Sequence, residues 1–420
     1  MLQPSIEQIK IPKIEFLLTF LSYLLAGTVS TLISVYLPEI ITDLHNKEVS
    51  SFEIGELGAL INSCFIFGWM AGGLIMGLVS DRIGRIGALA ISTFIFGATI
   101  LSIKLVNHID YIIVFRFLSG FGVGGVLVVS TVYISEIFGE KDKPIYLGML
   151  ATGFPLGIVL TGIINLFIKD WREALLIGFI PMAISILTLA FAKESSVWKN
   201  SPHKINFQPI FWKDFFKSNS KNLWIGSSIF GCVLIGLWGI FSWMPTWIHS
   251  LAPDELSGQK AGSLSMMIFG LGGILGSFLS GYLVKKFGIQ NTLVATLGGC
   301  LFISILIFLT TNHINYILYF ETALLSIFFG ISQGSLSTYI PSLFATQIRT
   351  TASGFCFNIS RFITGIAVFF VGNLAVFFGG LGNSLLVFST PFGIALIVTL
   401  LTCENKIINK IIFEPNYSQK

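Results

Sequence analysis

Apolar segments of about 20 residues or more recur from one end of this chain to the other, and they limit its fold more than any other feature. They lie at 14–37, 55–79, 86–106, 111–137, 145–168, 172–192, 223–248, 260–284, 291–310, 315–344, 347–378 and 382–403. A helix needs about 20 apolar residues to cross the hydrocarbon, whereas a tilted strand needs only about 9–11. Hydrocarbon also admits only structures that satisfy their own backbone hydrogen bonds. The segments therefore read as helices, and the expected fold class is all-α: a polytopic membrane protein with twelve transmembrane helices. Charge agrees with this reading. Only 11% of the 420 residues are charged and 54% are hydrophobic, against about 25% charged in soluble domains. The long run from Ile314 to Gly380 is the hardest to divide, and the polar patch Thr346-Gln347-Ile348-Arg349-Thr350 is the expected break.

Loop charges give an orientation. With the N-terminus placed inside, eighteen Lys and Arg residues fall on the inner side and five on the outer, while Arg116 and Arg361 lie within spans. Short loops rich in Lys and Arg stay cytoplasmic, so both termini are expected there, with the chain in the inner (plasma) membrane. Lys10 and Lys13 precede a first apolar run too long for the core of a secretory signal, so no cleavable leader is expected.

The longest polar stretch, Lys193 to Asn222, divides the chain. The expected organisation is an N-terminal six-helix bundle (1–192), a cytoplasmic central loop (193–222), and a C-terminal six-helix bundle with a short cytoplasmic tail (223–420). The halves resemble each other. Gly68, Gly72, Gly77 and Gly84 recur as Gly272, Gly276, Gly281 and Gly288 at an offset of 204. Tyr133-Ile-Ser-Glu136-Ile-Phe138 recurs as Tyr339-Ile-Pro-Ser342-Leu-Phe344 at 206. Two motifs at nearly one offset point to duplication and to two pseudo-symmetric bundles, an arrangement in which transporters place their site between the repeats.

The segment Gly73 to Arg85, with its Ser80-Asp81-Arg82-Ile83-Gly84-Arg85 turn, resembles the signature loop of the major facilitator superfamily. The fourth span, from Arg116-Phe-Leu-Ser-Gly120 to Tyr133-Ile-Ser-Glu136, is similar to that of the sugar and organic-acid symporters of this superfamily. Trp238-Gly-Ile-Phe-Ser-Trp243-Met-Pro245, and Arg349 through Asn358-Ile-Ser-Arg361, look like the branch that carries aromatic acids, sialate and related metabolites. The resemblance implies a secondary transporter working by alternating access. In proton-coupled relatives an arginine at the position of Arg116 pairs with an acid in the first span. Here that span reads Leu24-Leu-Ala-Gly27-Thr28-Val29-Ser30-Thr31 and holds no acid. Glu321 and Glu56 are the alternative proton-coupling candidates, and an uncoupled uniporter is the alternative mode.

Physical chemistry assigns further roles. On the turn between the second and third spans, Asp81 can dock at the positive end of a helix. Arg82 and Arg85 can pair with Glu136, and Arg349 stands at the matching end of the second half. These five residues form the expected gate. The second half lacks the acids, with Lys285 in place of Asp81 and Ser342 in place of Glu136. Arg361 lies 12 residues beyond Arg349, about 18 Å along a helix and so near mid-membrane. A guanidinium at that depth costs roughly 2.5–3.5 kcal/mol to insert, so a watery cavity or a partner is expected beside it. With Asn358 on the same face it forms a fork for a carboxylate. Arg116, Gln333, Trp238 and Asn62 complete the expected substrate contacts. Trp243 is expected either in the cavity wall or at the lipid interface, Trp247 at the lipid interface, and Pro155 at a bend of the fifth span.

The cysteines lie in apolar runs without metal spacing, His45, His108, His249 and His313 are scattered over outer loops, and there is no Walker loop. No cofactor, metal, nucleic acid or enzymatic chemistry is expected. The expected partners are a small-molecule substrate, protons and the lipid bilayer, with the chain acting as a monomer. The leading reading is a proton-coupled carrier of a small organic anion. A sugar or polyol carrier is the alternative within the class, and a non-transporting nutrient sensor the alternative outside it.

Overall fold

A computed structural model describes residues 12–45, 51–139, 143–200, 212–344 and 349–413, with no strand among the described residues. Among the described residues, twelve helices are long and apolar enough to cross a membrane. In the first half they are α1 (Lys13–Val35), α2 (Glu53–Ile83), α3 (Arg85–Lys104), α4 (Ile109–Ile137), α5 (Ile145–Phe167) and α6 (Trp171–Phe191). In the second they are α7 (Phe216–Ser250), α8 (Glu255–Phe287), α9 (Ile289–Thr310), α10 (Tyr316–Ser342), α11 (Ala352–Phe377) and α12 (Leu381–Thr402). The helix of α10 ends at Ser342 and the next described helix begins at Arg349, while positions 345–348 of the expected break lie outside the described residues. The end of the bundle carrying the 80–85 turn is called here the turn face, and its other end the opposite face.

Local chemistry sets the helix ends. Asp170, Asp254 and Asn315 each cap a helix by accepting a backbone N–H, from Arg172, Ser257 and Leu318. Gly84 and Gly288 hold φ of 99° and 81° between α2 and α3 and between α8 and α9. A left-handed turn of this kind favours glycine, which explains the recurrence of this pair in the repeat. The upstream glycines serve close approach. A Cβ on Gly68, Gly72, Gly120 or Gly124 would run into the carbonyl oxygen of Phe117, Phe121, Phe65 or Trp69, so α2 and α4 meet backbone to backbone. In the second half Gly276 of α8 likewise lies against Ile327 and Gly330 of α10.

Between the halves, α5 packs on α8 and α2 on α11. Gly270 and Gly273 of α8 lie against Pro155, which sits inside a continuous helix, and Gly55 of α2 lies against Gly372. The opposite face is also bonded across: Asn165 Nδ2 donates to Ser263 Oγ at 2.8 Å, and Gln259 Nε2 to Asn165 Oδ1 at 3.3 Å. Toward the turn face, Gly148 of α5 and Gly281 of α8 have no atom of the described residues within 4 Å of an added Cβ. The halves are therefore closed at the opposite face and diverge along α5 and α8 toward the turn face.

Two segments differ from the sequence reading. Ser196–Asn200 forms a short helix, and the helix leading into the second half begins at Trp212, so much of the described polar connector is helical. Trp243 and Trp247 are not interface anchors. Both are buried, Trp243 because the Ser242–Trp243 break in α7 turns its ring onto Gly58 of α2.

Gly124→Val, which drives a side chain into the Trp69 carbonyl, is expected to destabilise the protein by roughly 1–3 kcal/mol or more. Gly281→Ala should leave its melting temperature in detergent unchanged. Equal melting temperatures for the two variants would contradict this packing.

Candidate functional site

At mid-span, aromatic rings from three helices cluster beside Arg361. Trp69 of α2 meets Trp238 of α7 edge to face at 5.4 Å between ring centroids, and Phe154 of α5 at 5.6 Å. Phe65, one helical turn from Trp69, extends the cluster at 5.8 Å. The Arg361 guanidinium stands 5.6 Å from the Trp69 ring centroid, at cation–π distance. It is half-buried, and its one protein hydrogen bond among the described residues runs from Nη1 to the Phe357 carbonyl of its own helix at 3.3 Å. No carboxylate forms an ion pair with it among the described residues. Tyr23 of α1 lies within reach of its charge. Asn358, one turn away, donates to the Gly354 carbonyl at 2.9 Å, and its Oδ1 is buried without a partner. The arrangement is a cation with unused donors beside flat apolar walls.

Arg116 behaves differently. It is 1% exposed and lies 4.1 Å over the Phe65 ring. It donates to the carbonyls of Val29 and Ser30 on α1, at 3.2 and 3.3 Å, and to Asn62 Oδ1 at 3.4 Å. Asn62 Oδ1 also accepts from Ser34 Oγ at 3.0 Å. Both residues, expected from the sequence to meet substrate, are instead engaged within the first half, where they tie α1, α2 and α4 together. The carbonyls of α1 take the place of the acid that this span lacks.

The remaining polar residues are dispersed. Gln333 of α10 is half-buried with Nε2 unpartnered, and Glu321 on the same helix is buried with Oε2 unpartnered. Glu56 is exposed. Asn165 joins the halves as described above.

On the turn face, Arg85 is the hub. Its Nη1 donates to Asp81 Oδ1 at 2.5 Å and to Ser80 Oγ at 3.2 Å, while Nε and Nη2 fork onto Glu136 at 3.2 and 2.9 Å. Arg82 is exposed. The carboxylate at the positive end of α3 is Glu194, which accepts from Ile86 N at 3.0 Å; Asp81 does not occupy that end. Trp198 Nε1 donates to the Asp81 carbonyl at 3.0 Å, and Tyr133 OH to the Lys193 carbonyl at 2.5 Å. The segment after α6 therefore straps the turn. Sequence reasoning missed Glu194 and Trp198, because their partners lie over a hundred positions away. Arg349 begins a described helix, but its side chain lies outside the described residues.

The profile of the Major Facilitator Superfamily matches residues 19–369, and the chain belongs to this superfamily. Its members are transporters, and the chain is a transporter and not an enzyme. It is similar to the cis,cis-muconate transport protein of Acinetobacter baylyi, with 27% identity covering 94% of this chain and 95% of that protein. It also resembles the gentisate transporter of Corynebacterium glutamicum, with 22% identity covering 81% and 77%, and the benzoate transport protein of Acinetobacter baylyi, with 23% identity covering 72% of each. In fold it matches the D-xylose–proton symporter, with a TM-score of 0.74 at 17% identity over 93% of this chain and 97% of that one. A bacterial homologue of the lysosomal transporter Spinster gives a TM-score of 0.70 at 15% identity over 94% and 97%. The fold is thus that of a two-bundle carrier.

Removing one partner of a buried ion pair costs roughly 3–5 kcal/mol, whereas an exposed pair contributes about 1 kcal/mol or less. The Glu136 side chain is 13% exposed and that of Asp81 41%. Glu136→Ala is accordingly expected to lower the melting temperature well below that of Asp81→Ala. The reverse order would contradict the placement of Arg85.

Proposed function

We propose that this protein carries a small organic anion, a flat conjugated or aromatic carboxylate, across the inner membrane by alternating access. The observation that carries this reading is Arg361, half-buried at mid-span with no acid paired to it among the described residues and with Trp69 beside it. A carboxylate supplies the missing counter-charge through a forked hydrogen bond. The walls of Trp69, Phe154 and Trp238 accept a planar body by stacking or edge contact. Asn358 adds an amide one turn away. The named substrates of the relatives (muconate, gentisate and benzoate) have this chemistry in common. A sugar needs no cation, so the box favours the anion.

In this reading the turn face is cytoplasmic, as the loop charges indicate, and both termini lie there. Closure at the opposite face leaves the site facing the cytoplasm. The turn with Asp81, Arg82, Arg85 and Glu136 then acts as the gate, its bonds lying within the first half in this state. Arg349 is placed to meet it when the cytoplasmic side closes. Arg116 acts by positioning α1. Proton symport is the mode we favour, with Glu321 as the acid, because its carboxyl is buried and has an unpartnered oxygen while Glu56 is exposed.

Uptake of radiolabelled cis,cis-muconate, benzoate and xylose into proteoliposomes tests the reading. The acids are expected to accumulate under an inward proton gradient and xylose is not. Arg361→Ala should abolish uptake while remaining folded, and Glu321→Gln should lose accumulation but keep exchange of internal for external substrate. Normal uptake by Arg361→Ala would place the site elsewhere. Uptake of xylose in preference to the acids would replace the anion reading with a sugar carrier.

A further inference from the structure

Glu39 is an acid outside the central site whose surroundings leave its charge uncompensated. It lies on the short helix Leu37–His45 between α1 and α2, at the opposite face. There Leu37 from the first half and Trp243 from the second converge on Gly58. Its Oε2 is buried without a hydrogen-bond partner, and it forms no ion pair among the described residues.

The groups nearby do not neutralise it. On its own segment Tyr36 donates its hydroxyl to the Ile168 carbonyl at 2.6 Å, and Asp43 is held by Arg172. Asp170 caps the start of α6, and Glu53 and Glu56 on α2 are exposed. Across the seam, Glu255 at the start of α8 places a negative charge within reach of Glu39. His249 of α7, also within the field of Glu255, has Nε2 buried without a partner. Burial chiefly, opposed by its own backbone N–H and reinforced by Glu255, pushes the Glu39 carboxyl up to about 7 from its ordinary 4.5.

We propose that Glu39 is a proton-binding latch of the opposite face, neutral while the two halves are closed over it and ionised once they part and water reaches it. Closing removes the carboxyl from water and brings it toward Glu255, so the closed state binds a proton that the open state releases. That proton enters and leaves on the same side. It therefore does not drive transport, and Glu39 senses the pH on that side instead.

The direction of the effect follows from linkage. Below about pH 4.5 the carboxyl is neutral in both states and exerts no bias. Between about 4.5 and about 7, each rise of one pH unit shifts the closed-to-open ratio up to tenfold toward open. Above that window the bias is constant. Acidification thus favours closure of this face.

The latch rests on the alternating-access reading, and a distance measurement separates the two. Spin labels at Leu105→Cys and Tyr316→Cys, exposed residues of opposite halves at this face, report its opening in purified full-length protein with the native cysteines replaced. The long distance is expected to gain population from pH 5 to pH 7.5. In Glu39→Gln the short distance should dominate at every pH, and in Glu39→Asp the pH dependence should return. Glu255→Gln should move the midpoint to lower pH. Two distances with pH-independent populations, or an unchanged slope in Glu39→Gln, would overturn the latch alone. A single distance at every pH would overturn both the latch and alternating access.

Discussion

Placing a guanidinium inside a membrane span is costly, roughly 2.5–3.5 kcal/mol at the helix centre on insertion scales, and this chain does so twice, near mid-span at Arg361 and nearer the opposite face at Arg116, with different compensation. Arg116 is enclosed and bonded by the carbonyls of α1, by Asn62 and by the face of Phe65. These contacts use most of its donors, and the first bundle becomes a unit in which α1, α2 and α4 hold together. Arg361 lies at the boundary between the bundles, with one carbonyl of its own helix and the Trp69 ring for company. The first arginine builds a wall, and the second leaves donors available within it. The close glycine contacts between α2 and α4 serve the same end, because they bring Phe65 and Trp69 to the depths at which the two cations sit.

The two faces also differ. At the opposite face, Asn165, Ser263 and Gln259 bond across the seam and Gly55 meets Gly372. At the turn face, the ionic bonds of Arg85 remain within the first half, and Glu194 and Trp198 hold the 80–85 turn from the segment after α6. A carrier closed on one side needs interactions across that seam and can leave the other side's bonds within one bundle. The distribution of bonds therefore matches a state open toward the turn face. The loss of acids from the second repeat, at Lys285 and Ser342, explains why the network has no counterpart there among the described residues.

Much of this was legible in the sequence, for physical reasons. Span lengths follow from membrane thickness, so the twelve helices could be read directly. Gly84 and Gly288 could be paired because a left-handed turn leaves glycine as its signature. The depth of Arg361 follows from helix rise. What could not be read was which way a side chain turns. Arg116 and Asn62 looked as exposed to a cavity as Arg361 did, and only the packing of α1 against α4 shows them engaged within the first bundle. Trp243 resembled an interface anchor until the break in α7 turned it inward.

The central claim is that an uncompensated cation beside aromatic walls recognises a carboxylate. Equilibrium binding to the purified protein, followed by the fluorescence of its tryptophans, tests it most directly with benzoate and its uncharged analogue benzamide. The account predicts saturable quenching by benzoate and at least a tenfold weaker response to benzamide, the difference disappearing in Arg361→Gln. Equal binding of the acid and the amide, or a preference for the acid that survives in Arg361→Gln, would contradict it.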